Sequence, residues 1–225
     1  MSFDLDFSRG KIFVIVGKQA SGKSFTLRNL MYQFSKDGIF QFGQVFSGTT
    51  FNSDYEFMPE GAVDSNYSEA ALERYIGKLR AWMEKNKGKK PPPNFLILDD
   101  ILGKMRPRTA IFQQLISTYR HKFMSVFLVS QYMVANVSTL LRELTDVAIL
   151  FKSKFKNTKE SLFNAFGQMC EDQDEFERYF TQATKEKHAA LLYFAEKDTK
   201  EEAYLSFKAP SDDKPFKLKF TPVKF

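Results

Sequence analysis

The run Gly17-Lys18-Gln19-Ala20-Ser21-Gly22-Lys23-Ser24 reads G-x-x-x-x-G-K-[ST]. Glycine at both ends of the loop lets the backbone turn tightly. Several N–H groups can then converge on one anion, and a helix that starts at the end of the loop adds its own. In such a loop Lys23 reaches the β- and γ-phosphates of a nucleoside triphosphate, and the Ser24 hydroxyl is a ligand for Mg²⁺. The short pattern also arises by chance on tight glycine turns, so its surroundings decide. The apolar run Ile12-Phe13-Val14-Ile15-Val16 leads into it, and the helical pattern Phe25-Thr26-Leu27-Arg28-Asn29-Leu30-Met31 leads out. Strand, glycine loop and helix match the requirements of a phosphate site. The expected nucleotide-binding set is Gly17, Lys18, Gln19, Ala20, Ser21, Gly22, Lys23 and Ser24, with Phe25 just beyond.

A triphosphate site needs a second hold on the metal. Leu96-Ile97-Leu98-Asp99-Asp100 is an apolar strand that ends in paired carboxylates, the pattern called Walker B. Asp99 would hold Mg²⁺, directly or through water. Asp100 stands where many NTPases carry a glutamate that orients the attacking water. An Asp at a strand end can also cap a turn, and the upstream loop favours the metal reading. Ser130-Gln131 ends a later apolar strand. Either residue could touch the γ-phosphate or its water, or be an ordinary polar strand end. Hydrolysis also calls for a cation at the γ-phosphate, often an arginine from a neighbouring subunit. Arg120 is the first candidate and Arg142 the second. Lys18 either contacts phosphates or an acidic partner, or is a solvated charge.

The elements that must position these residues alternate in type. Strands are expected at Lys11–Val16, Gln44–Ser47, Phe95–Leu98, Val126–Val129 and Val147–Phe151. Helices are expected from the glycine loop to Ser35, over Glu69–Lys85, over Thr109–Tyr119 and, briefly, over Thr139–Leu144. The stretch Phe51–Tyr67 reads as loop, and Gly88 to Pro93 as an exposed connector. Alternation of this kind argues for an α/β fold with a mostly parallel sheet flanked by helices. Beyond it, Lys159–Gly167 and Gln173–Lys185 read as helices. Ala189–Ala195 and Ala203–Lys208 read as a β-hairpin joined across Glu196–Glu202, and Phe216–Phe225 as a terminal strand. The domain reading is a P-loop ATPase core at 1–152, with 153–225 a helical and β-hairpin extension of the same domain.

A chain of 225 residues with 43% hydrophobic content can bury one full core. Twenty-five phenylalanines predict a core rich in aromatic anchors. No apolar run is long enough to span a bilayer, and the start has no signal-peptide pattern. The single Cys170 excludes an internal disulfide framework and points to a reducing, intracellular setting. With two histidines and one cysteine, a structural zinc site is not expected. The formal charge of +6 permits nucleic-acid contact without requiring it. Basic residues cluster at Lys85, Lys87, Lys89 and Lys90, at Lys104, Arg106 and Arg108, and at Lys152, Lys154, Lys156 and Lys159. Taken singly, each cluster reads as a solvated loop.

Taken in order, Gly17–Ser24, Val45-Phe46-Ser47-Gly48-Thr49, Leu96–Asp100, Arg120-His121 leading to Ser125–Tyr132, and Leu141-Arg142 resemble the viral genome-packaging ATPases of the FtsK–HerA superfamily. The nearest type is that of poxviruses, other large DNA viruses and virophages. The extra lysine at Lys18, the Asp99-Asp100 ending, and the Arg-His pair before a strand that ends in Gln131 and Tyr132 carry the likeness. It runs over roughly residues 10–152. Two departures are Ser130, where threonine is frequent, and Asp100 in place of the usual catalytic glutamate.

The resemblance implies a RecA-like (ASCE) P-loop NTPase that hydrolyses ATP with Mg²⁺. It implies a homo-oligomeric ring, pentamer or hexamer, that pulls double-stranded DNA into a preformed capsid, with a capsid or portal protein as partner. The arginine finger, Arg120 or Arg142, would act in trans. The setting would be the virus assembly site or virion, in host cytoplasm. Lys104, Arg106 and Arg108 would line the DNA channel, with Lys152–Lys159 as the rival patch. Two other function classes stay open. A P-loop kinase would usually show an arginine-rich lid and an early strand-end Asp, neither visible here. A nucleotide-gated adaptor, assembling on ATP without needing turnover, is compatible with the same motifs.

Overall fold

A computed structural model describes residues 7, 9–48, 53–101, 109–131, 139–210 and 218. Two compact units account for the chain: residues 1–11, 28–127 and 214–225 form the first, and residues 12–27 and 128–213 the second.

In the first unit, strand β2 (Phe42–Ser47) lies between the short β3 (Val63–Asp64) and β4 (Asn94–Asp99), all parallel. All six residues of β4 are buried, as expected of a strand covered on both faces. Gly43 is opposite Phe95 in the β2–β4 register. A Cβ there would come 2.4 Å from the Phe95 ring, so only glycine leaves room for that ring. Phe95 belongs to an aromatic cluster: Phe40 meets it edge-on at 5.2 Å, Phe34 meets Phe40 at 5.7 Å, and Phe7 meets Phe34 at 4.9 Å. Each such pair adds about 0.5–1.5 kcal/mol beyond the burial of its area.

Helix α2 (Glu69–Lys85) matches the expected span. Ser68 caps it by accepting from Ala71 N at 3.1 Å. Ala71, Leu72, Tyr75, Ile76 and Leu79 are buried, while Trp82 and Met83 are only half-buried. Helix α3 (Ala110–Thr118) runs into a 3-10 turn at Arg120–Lys122, and Phe123 (φ 50°) then redirects the chain into β5 (Met124–Ser130). The Asn94 side chain, fully buried, donates to Lys122 O at 2.8 Å and Pro92 O at 3.1 Å. The start of β4 thereby fixes the turn that carries Arg120. The stretch read from sequence as loop, Phe51–Tyr67, contains β3 and a 3-10 turn at Ser53–Tyr55. Its Pro59, Gly61 and mixed polarity masked both.

In the second unit, β1 (Ile12–Val16) pairs in parallel with β6 (Val147–Phe151), Val16 opposite Leu150. The sheet continues antiparallel through β7 (Ala189–Phe194) and β8 (Tyr204–Lys208), in the order β1-β6-β7-β8. Helix α4 (Thr139–Leu144) precedes β6, and a short α7 (Lys200–Ala203) lies in the β7–β8 connection. Helices α5 (Lys156–Phe166) and α6 (Gln173–Ala183) come between β6 and β7. Asp172 caps α6 by accepting from Glu175 N at 2.8 Å, and Phe176 and Phe180 stack at 6.1 Å in the buried face. The expected hairpin is therefore present, and α5 begins earlier than the expected Lys159. Helix α1 (Lys23–Lys36) and strand β5 each have residues in both units. The fold class is α/β, a mostly parallel sheet with flanking helices. Most of Phe216–Phe225, including its proposed strand, lies outside the described residues, as do Lys104, Arg106 and Arg108.

Candidate nucleotide-binding site

Strand β1 delivers the chain to Gly17 at the end of a fully buried run, and α1 takes over at Lys23. Between them the loop closes on itself. Ser21 N donates to Lys18 O at 3.2 Å, and Thr26 N to Gly22 O at 2.9 Å. Ala20 (φ 58°) and Gly22 (φ 108°) lie in the left-handed half of conformational space, and the value at Gly22 is one side chains rarely adopt. A Cβ on Gly17 would come 2.5 Å from Ser21 Oγ and 2.6 Å from Phe151 Cβ, so this glycine is required by space. The ends of the motif are glycine for two different reasons.

Lys23 is 8% exposed, and its Nζ donates to Lys18 O at 3.1 Å, which keeps the ammonium on the loop. Lys18, Gln19 and Ala20 are exposed, and Ser24 and Phe25 are half-buried on the first turn of α1. That turn has no acidic residue, so nothing there opposes an anion at the helix N-terminus. The Ser21 hydroxyl is buried inside the loop with no hydrogen-bond partner. Buried hydroxyls are normally satisfied. An orphan donor beside an ammonium and a helix N-terminus fits a phosphate oxygen.

The end of β5 lies beside the start of the loop, with Gly17 N donating to Ser130 O at 3.1 Å. Ser130 is buried. Gln131 lines a cavity of about 340 Å³ together with Gly17, Lys18, Phe151 and Phe155. Of the two strand-end candidates, Gln131 is the one that lines a cavity together with phosphate-loop residues. Lys152 and Lys154 line the same cavity, and Lys152, Lys154 and Lys156 are exposed. Lys159 instead pairs with Glu177 at 2.7 Å. Arg142 is half-buried on α4.

The carboxylates belong to the first unit. Asp99 closes β4, 6% exposed, opposite Ser47 in the β2–β4 register. Its Oδ2 accepts from Tyr55 Oη at 2.9 Å and from Ser47 Oγ at 3.3 Å. Burial, and after it the Asp99 charge, hold the Tyr55 phenol well above its ordinary pKa. Tyr55 is thus a permanent donor at neutral pH. Asp100 adopts φ 50°, which turns the chain sharply after the strand. Gly48 N donates to Asp99 O at 3.0 Å, and a Cβ on Gly48 would lie 3.1 Å from Asp100 O. Arg120 is exposed just before β5, and its Nε donates to Tyr119 Oη at 2.8 Å. Its guanidinium also stands 5.4 Å from the centre of the Tyr119 ring.

Two contributors escaped the sequence. Tyr55 sits in a stretch without periodicity. His188, just before β7, contacts the phosphate loop through Ser21 O at 3.1 Å. Nothing in a lone histidine before a strand announces that contact.

The poxvirus A32 protein family model matches residues 6–162, more than half of the chain. The chain belongs to the poxvirus A32 family. That placement agrees with the resemblance to viral genome-packaging ATPases carried by the motifs. An uncharacterized protein of Acanthamoeba polyphaga mimivirus is 27% identical over 203 residues, covering 85% of this chain and 70% of its own. An uncharacterized protein of Invertebrate iridescent virus 3 is 26% identical over 190 residues, covering 81% and 69%. Among solved structures, the genome packaging NTPase B204 of Sulfolobus turreted icosahedral virus 2, in complex with AMPPCP, superposes with a TM-score of 0.58 at 16% identity, over 84% of this chain and 94% of that one. The pCW3 conjugation coupling protein TcpA, with ATPγS, gives 0.61 at 13% identity, over 91% and 62%. At such identities these likenesses show the fold alone: a mostly parallel sheet with flanking helices.

Proposed function

We propose that the chain is an ATP-hydrolysing motor subunit that moves double-stranded viral DNA into a preformed capsid. The observation that carries this reading is the phosphate loop itself. It combines a buried lysine, an orphan buried hydroxyl and a helix N-terminus free of acidic residues in a chain of the A32 family. The solved relative B204 is described as a genome packaging NTPase and was crystallised with a nucleotide analogue.

In this account Gly17–Ser24 cradle the phosphates and Lys23 neutralises charge that develops on them. The Ser24 hydroxyl and the Asp99 carboxylate are hard oxygen donors, which suits Mg²⁺. When bound, the metal would draw charge off the phosphate oxygens. Tyr55 and Ser47 hold the Asp99 carboxylate in one orientation. Asp100 orients the attacking water and Gln131 senses the γ-phosphate. Arg120, with Arg142 second, reaches the phosphates of a neighbouring subunit in a ring. The pairing of β7 with β6 supports reading residues 153–225 as an extension of the same ATPase domain. The place of action is a virus-infected cell, at the assembly site or in the virion.

The test is assembly with complementation. Wild-type protein with ATPγS and double-stranded DNA should elute as a ring-sized species. Mixing Arg120→Ala with Lys23→Ala should restore part of the activity, since some interfaces would pair an intact loop with an intact arginine. A mixture as inactive as its parents, despite proven co-assembly, contradicts a finger at Arg120.

A further inference from the structure

His188 immediately precedes β7, in the part of the chain beyond the family match at residues 6–162. Its backbone is left-handed at φ 64°, which a β-carbon disfavours. Its Nδ1 lies 3.1 Å from the carbonyl oxygen of Ser21, across 167 positions of sequence. Its Cβ and Nδ1 both lie 3.3 Å from where a Cβ on Gly22 would be, so the ring packs directly on that glycine. A carbonyl oxygen only accepts, so Nδ1 carries the hydrogen.

The Ser21–Gly22 peptide is planar and trans. Its carbonyl and its N–H therefore point in opposite directions. A donor that fixes the Ser21 carbonyl on the His188 side also fixes the Gly22 N–H on the other. Gly22 has φ 108° and little steric restraint of its own. A peptide with a glycine on one side is thus held from outside the loop. The same residue, Ser21, carries the orphan buried hydroxyl.

We propose that His188 is a positioning residue for the phosphate loop. Its Nδ1–H presets the Ser21–Gly22 peptide for an anion and makes the C-terminal hairpin part of the nucleotide site. This rests on the nucleotide reading of that loop. It also means that a displacement of the β7–β8 hairpin changes nucleotide affinity without touching the nucleotide.

Two substitutions separate the donor from the backbone. His188→Gly accepts the left-handed conformation and removes the donor. His188→Asn tolerates the same conformation and returns an N–H at the position of Nδ1. Affinity for ATPγS is measured by titration of the full-length chain, and the thermal midpoint without nucleotide checks folding. The expected result is roughly three- to tenfold weaker binding for His188→Gly, the worth of one hydrogen bond, with a chain that still unfolds in one cooperative transition at a midpoint only a few degrees lower, and near-complete rescue by His188→Asn. Wild-type affinity in His188→Gly, or equal loss in both variants, overturns the proposal. A wild-type chain that binds no nucleotide overturns the nucleotide reading and this inference with it.

Discussion

The Tyr55 hydroxyl donates to Oδ2 of Asp99 across 2.9 Å, in a region where Asp99 is 6% exposed. A buried carboxylate at a strand end is costly unless its oxygens are held. Tyr55→Phe removes the phenol and keeps the ring. It should cost about 1.5–3 kcal/mol of stability, the range for hydrogen bonds to a charged group. If Asp99 holds the metal, the variant should also need more Mg²⁺ for half-maximal turnover. Chemical denaturation and a Mg²⁺ titration check the two halves separately. Unchanged values in both would remove Tyr55 from the site.

Gly17→Ala tests the geometry of the loop. The added methyl would meet Ser21 Oγ and Phe151 Cβ at distances no Cβ occupies, so the loop must shift. The expected cost is about 1–3 kcal/mol of stability, as for overpacking elsewhere, seen as a lower thermal midpoint, and nucleotide binding should be lost. Gly38→Ala, where φ is 61° but nothing lies within 4 Å, is the control: strained, yet binding normally.

Asp100→Asn separates the water-orienting role from metal binding. Asparagine tolerates the left-handed conformation found at Asp100 (φ 50°), so the backbone should be unaffected. Nucleotide affinity should persist while turnover falls by ~10²-fold or more, the scale of a lost general base. Loss of affinity in a binding titration would make Asp100 a metal ligand instead.

Lys122, in the turn that carries Arg120, is 5% exposed and bonds to Thr118 Oγ1. Burial, with a smaller contribution from Arg80, lowers its pKa to about 8 from the usual 10.5. Between those two values the unfolded chain binds more protons than the folded one, so stability rises with pH. Denaturation midpoints should therefore climb from pH 8 to pH 10 in the wild type. Lys122→Met should flatten that rise and be more stable at pH 7 by on the order of 2 kcal/mol. Parallel pH profiles for the two proteins would refute the assignment.

The strands that end in the phosphate loop and in Asp99 were legible because they are apolar runs ended by glycine or by carboxylates. Ile12–Val16 and Asn94–Asp99 are buried throughout, as their composition implied. Helix α5 starts at Lys156, ahead of the Lys159 that its sequence pattern marks, because Phe155 is its N-cap residue and makes no side-chain cap, so no Ser, Thr, Asp or Asn marks its start. Tyr55 and His188 were illegible for another reason. Their partners, Asp99 and Ser21, are 44 and 167 positions away, and no local pattern encodes a contact at that range. Lys104, Arg106 and Arg108 lie outside the described residues, whereas Lys152, Lys154 and Lys156 of the rival patch are exposed.

A translocating motor must couple phosphate chemistry to duplex DNA of any sequence, holding backbone rather than bases. The most direct measurement is steady-state ATP hydrolysis by the wild type and by Lys23→Ala, with and without double-stranded DNA of unrelated sequences. Basal turnover should rise with every duplex, fall steeply with salt, and vanish in Lys23→Ala. Turnover indifferent to DNA, or surviving the loss of Lys23, would contradict it.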